Sequence, residues 1–113
     1  MLIAFSVAPT ETPTADAEMS EAVAEAVRVV RASGLPHETN AMFTLVEGEW
    51  DEVMEVVKHA TEAVLAVSPR VSLVLKADIR PGYSGQLRGK VASLEKHLSE
   101  DAAALTVDET TQN

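Results

Sequence analysis

The chain has 113 residues, 46% of them hydrophobic and only 4% aromatic, which fits one domain whose core is built from Val, Leu, Ile and Ala. A formal net charge of −9 argues against nucleic acid and anionic membrane as partners, and the lack of cysteine excludes disulfides and thiolate chemistry. The apolar opening run Met1–Ala8 has no basic n-region and is too short to span a bilayer; nothing later reaches that length, so the expected compartment is the cytoplasm.

Leu2–Ala8 has the β-branched and apolar content of a strand, closed by Pro9. The spacing of Met19, Ala22, Val23, Ala26, Val27 and Val30 predicts a helix over Asp16–Ser33, with Gly34 as its natural C′ residue and Pro36 forbidding continuation. His37–Ala41 and Phe43–Gly48 read as two short strands joined at a tight Met42–Phe43 corner, hence an antiparallel hairpin. Glu49–Val67 reads as a second helix with Trp50, Val53, Met54, Val57, Thr61 and Val64 on its buried stripe. Ser68-Pro69 ends that helix.

Arg70–Arg80 alternates most clearly. Val71, Leu73, Leu75, Ala77 and Ile79 fall on one face, and a second set, polar but for Val74, falls on the other. A turn at Pro81–Gly85 leads into a third helix over Gln86–Ser99, where Leu87, Val91, Leu94 and Leu98 make a narrow seam. Residues 100–113 are acidic, poor in large apolar side chains and expected to form a flexible tail.

The order β-α-β-β-α-β plus a C-terminal helix is that of an α+β, ferredoxin-like sandwich with a four-stranded antiparallel sheet. Two helices cover one face. The other is expected to be bare and to expose Ala4, Val46 and Val74, which predicts self-association through that open face.

No constellation carries catalysis. His37, His59 and His97 are far apart in sequence and belong to no HExxH motif, and no nucleophile stands with a base. Glu52, Glu55, His59 and Glu62 share a helix face, but one opposite the apolar stripe, so a solvated surface is expected there and no metal. Arg80, Arg88 and Lys90 form the basic cluster, able to hold a small anion or to pair with the acidic excess. Thr44, Glu47 and Asp78 are polar residues inside apolar strands, and an acidic side chain there must meet water, a base, a helix N-terminus or a ligand.

The stretch Met42–Val53, MFTLVEGEWDEV, resembles the small thiamine-binding, YkoF-like family of ferredoxin-like proteins. The likeness is carried by Ser6 in the first strand, Ser33-Gly34-Leu35, Ala41-Met42-Phe43-Thr44, Glu47-Gly48-Glu49, Arg70-Val71 with Asp78-Ile79-Arg80, and Lys90-Val91, and covers about residues 2–99. At the corner Ala41 stands where the family pattern has Pro and Phe43 where it has Gly, so Phe43 fills space a glycine leaves open. The resemblance implies a single thiamine-binding-type domain over 1–99, self-association to a homodimer or tetramer through the open sheet face, and binding of thiamine or its hydroxymethylpyrimidine part without catalysis and without a cofactor. An aminopyrimidine presents donor and acceptor edges that Thr, Asn and carboxylates match, and the thiazolium is a cation that an acidic site favours. Glu47, Thr44, Ser6 and Asn40 are the leading ligand-binding candidates, with Asp78 and Ser20 behind them. The alternative is a structural or regulatory homo-oligomer without a small ligand, in which these polar residues only satisfy an interface.

Overall fold

Strand β1, Leu2–Pro9, buries Ile3, Phe5, Val7 and Pro9 and leaves the alternate Leu2, Ala4, Ser6 and Ala8 half-buried, as a strand with one covered face should. A computed structural model of the chain describes residues 1–10 and 17–112, with side chains for 1–10 and 20–100. The elements that follow β1 are α1 (Ala17–Ala32), β2 (His37–Thr39), β3 (Thr44–Glu47), α2 (Trp50–Leu65), β4 (Val71–Asp78) and α3 (Gln86–Gln112). Met19 and the 11–15 loop, both part of the expected pattern, lie outside the described side chains.

The sheet is antiparallel throughout, in the order β2-β3-β1-β4. Helices α1 and α2 pack on one face of it. Their buried residues are Ala22, Ala26 and Val30 from α1 and Val53, Val56, Val57, Ala60 and Val64 from α2, and together with Ile3, Phe5, Val7 and Val46 these make the core. The expected ferredoxin-like α+β architecture is the one observed. Gly34 adopts φ +75°, the left-handed conformation that lets the chain leave α1. Gly48 serves differently: a Cβ there would meet Val53 Cγ2 at 3.2 Å, so its lack of a side chain lets the β3–α2 junction close on Leu35 and Val53.

Three expectations change. Val46 is not on the open face: it pairs with Ile3 and is fully buried, so Leu45 and Glu47 turn outward instead. The register decides this, because cross-strand neighbours share a face. Trp50 is 55% exposed, because as the first residue of α2 it precedes the turn that packs on the sheet, where burial begins at Val53. The open face is also not entirely bare. Glu47 lies on it and touches the start of α3, and Leu87 of that first turn is buried there, while Val91, Leu94 and Leu98 further along remain more than half exposed. The helical backbone of α3 continues past Ser99 to Gln112.

Candidate functional site

β3 pairs with β1 only from Leu2 to Phe5. Beyond Phe5, β1 keeps β4 on one edge and has no strand on the other, because the chain turns away at 40–43. That early departure opens a recess bounded by β1, the β2–β3 turn and the Val23–Val27 face of α1. Its volume is about 160 Å³, and its wall brings together Ser6, Asn40 and Thr44 with Phe5 and Phe43.

Asn40 builds the turn that shapes this recess. Its Oδ1 accepts the backbone N–H of Met42 at 2.8 Å and of Phe43 at 2.9 Å, and its own N–H donates to the Phe43 carbonyl at 3.0 Å. This is the local bonding that makes Asn a turn residue. With Oδ1 engaged, the Nδ2 group is what Asn40 can offer a ligand, and it can only donate. Thr44 sits at the end of the β3 ladder, opposite Phe5 on one side and Thr39 on the other. Ser6 is the first β1 residue past that ladder.

The structure does not bring the other candidates into the recess. Ser20 lines the outer groove of α1 with Val23, Val27, Arg28 and Arg31. Glu47 is buried, and its carboxylate accepts the N–H groups of Gln86 at 2.8 Å and Leu87 at 3.1 Å. It therefore caps α3 from across the fold, satisfying two of the donors a helix start leaves open. The sequence allowed a helix N-terminus as its partner, and the nearest one along the chain is that of α2. There Glu52 serves instead, reaching back to accept the Glu49 N–H at 3.1 Å.

Asp78 pairs with Lys90 at the exposed end of β4. The Lys90 hydrogen bond, then its charge, hold the Asp78 carboxyl below the usual carboxylate range, with Arg80 and Lys76 adding to the effect. Lys90→Ala is expected to move the Asp78 pKa back up, read by NMR titration of its carboxyl. Because the folded-state value is the depressed one, the contribution of this pair is present above the unfolded-state value of about 3.9 and is lost as pH falls through the folded-state value. An unmoved Asp78 titration in Lys90→Ala would contradict the assignment. Nearby, Arg80 lies over the Tyr83 ring, 3.5 Å from its centroid.

On the far side of the molecule Glu55 and His59 form a surface pair at 3.0 Å, and no group able to hold a metal ion occurs among the described residues. No helix among them is long and apolar enough to cross a membrane.

Fold and recess together define a small ferredoxin-like α+β domain with a ring-sized hollow beside its central strand. Comparison with known proteins gives that class a family. The family model described as thiamine-binding protein matches residues 3–95. A UPF0045 protein of Mycobacterium bovis is 52% identical over 99 residues, covering 87% of this chain and 94% of that one. A UPF0045 protein of Methanothermobacter thermautotrophicus is 41% identical over 87 residues, covering 75% and 88%. Among solved structures, a hypothetical protein of Methanocaldococcus jannaschii superposes with a TM-score of 0.73 at 30% identity, over 83% of this chain and 94% of that one. A Bacillus cereus domain of unknown function gives a TM-score of 0.67 at 33% identity, over 75% and 82%. The chain belongs to the thiamine-binding protein family.

Proposed function

We propose that this protein binds thiamine or a related hydroxymethylpyrimidine without turning it over, and that the pyrimidine ring sits in the recess between β1 and the β2–β3 turn. The observation that carries the reading is the match of size to polarity. A cavity of about 150 Å³ holds a benzene ring, and the recess measures about 160 Å³ with Ser6, Asn40 and Thr44 on its wall. Whole-ligand pockets usually begin near about 300 Å³, so the rest of thiamine must project outward. That projecting part is cationic, and a chain of net charge −9 attracts it. The Thr44 hydroxyl and the Asn40 amide suit the donor and acceptor edges of an aminopyrimidine, with Ser6 on the adjoining β1 edge. The family description supports a binding role, and the cytoplasm is the compartment we propose for it.

A second reading, a structural or regulatory homo-oligomer without a small ligand, draws on one observation: Glu47 and Asp78 are both engaged by the chain's own groups. Under either reading self-association through the open sheet face is proposed, since Val74 is 54% exposed there.

Thr44→Val separates the two readings. It keeps the side-chain shape and removes the hydroxyl, so affinity for the free pyrimidine should fall by about 0.5–1.5 kcal/mol, the net worth of one neutral hydrogen bond. The melting temperature without ligand should stay within a degree or two. Equal affinity of wild type and variant by calorimetry would remove Thr44 from the site.

A further inference from the structure

The recess shares a wall with a second hollow. Val23 and Val27 of α1 line the recess on one side and, on the other, the outer groove of the helix, which Ser20, Ala24, Arg28 and Arg31 complete. The groove measures about 500 Å³, against about 160 Å³ for the recess. The lip between them is low, since Val23 is 41% exposed. The other walls of the recess are fixed: β1 is held by its ladder to β4, and the 40–43 turn by the hydrogen bonds of Asn40. A substituent on a ring held in the recess therefore has room over the Val23–Val27 lip.

The groove is basic in an acidic chain. Lys and Arg number 9 against 18 Asp and Glu, yet two arginines and no carboxylate line it. Helical spacing gathers them, because residues three and four apart are neighbours on one face. Arg31 thus stands one turn beyond Val27, with Arg28 beside it. Arg28 is engaged by Glu25, but on the exposed helix surface, where such a pair is worth little and can yield to a stronger anion. The Arg31 guanidinium has no partner among the described residues. The helix dipole alone favours a cation in the last turn of α1, but that role would be indifferent to any ligand.

We propose that the α1 groove is an anion subsite of the recess, and that the ligand taken best is a phosphate monoester of the hydroxymethylpyrimidine. The ring lies in the recess and the phosphate on Arg31, joined by Arg28. The inference rests on the reading that the recess holds the pyrimidine ring. The hydroxymethyl oxygen is where that ring can carry a phosphate, and a short methylene link takes it past the lip. A phosphate monoester carries a charge of about −1.5 to −2 at pH 7. Arginine meets it with a planar fork of donors that engages two oxygens at once. A thiazolium leaving the recess in the same direction would meet two positive charges, so thiamine must project away from α1. The groove thereby sorts pyrimidine ligands by the charge of what they carry.

Calorimetry on the full chain, with the free pyrimidine and with its phosphate monoester, tests this. The ester should bind wild type about tenfold tighter at low salt, the lower end for hydrogen bonds to a charged group, and the advantage should shrink as salt rises. Arg31→Gln should remove most of that advantage and leave the affinity for the free pyrimidine unchanged. Arg31→Lys keeps the charge without the fork and should fall between. Both arginines are exposed, so these variants should fold as wild type does. Lys58→Gln removes the same charge from the surface of α2 and should keep the advantage in full. An equal loss in Lys58→Gln would mean general attraction to the chain and overturn the subsite. An ester that binds no tighter than the free pyrimidine, or an advantage that survives Arg28→Gln combined with Arg31→Gln, would overturn it while leaving the ring in the recess. If neither compound binds, the reading of the recess falls and the subsite with it.

Discussion

Phe5→Ala is expected to lower stability by about 3–5 kcal/mol, the usual cost of truncating a buried aromatic. Phe5 is 2% exposed at the centre of β1, opposite Thr44 on one side and Leu75 on the other, and belongs to the same cluster as Val30, Val46, Val53 and Val64. With aromatics only 4% of the chain, there is no second large ring in that cluster to relax into the space. A domain of this kind has about 5–15 kcal/mol in all, so the variant should be marginal at 25 °C. Phe5→Leu keeps most of the volume and should cost far less. Urea unfolding of the pair checks this, and a Phe5→Ala midpoint within experimental error of wild type would contradict the assigned core.

Glu47→Ala should cost about 2–3 kcal/mol through a different cause. The carboxylate accepts two backbone N–H groups of α3 and is 6% exposed, so truncation orphans both donors in a partly buried place. It also loosens the seat of Leu87, the one buried residue of α3 among those whose side chains are described. At roughly 4–8 °C per kcal/mol for a domain of this size, the melting temperature should drop by roughly 10–20 °C. Glu47→Gln keeps one acceptor oxygen and should fall between. Neither change should alter affinity for the pyrimidine, because the recess lies at the other end of β1. Lost affinity with an unchanged melting temperature would return Glu47 to the binding site.

The sequence showed the element order because each period is well expressed: alternation in β1 and β4, and apolar steps of three and four in α1 and α2. It did not show which face of β3 is buried. Leu45 and Val46 are equally apolar, and only pairing with Ile3 selects Val46. Nor could local pattern reveal strand order, and hence that β4 is an edge strand whose leucines stay half exposed. The partner of Glu47 was hidden for a similar reason, since the N–H groups it caps are 39 and 40 residues away. Asn40 and Thr44 flank the hairpin turn and were legible as a pair. Ser6 joins them only because β3 stops short of it.

Calorimetric titration of the wild-type protein with the free hydroxymethylpyrimidine, beside thiamine, tests the central claim most directly. The account predicts saturable binding of both at one site per chain, with the pyrimidine alone keeping most of the affinity, because the recess accepts one ring and the rest projects into solvent. No heat and no thermal shift with either compound at millimolar concentration would contradict it.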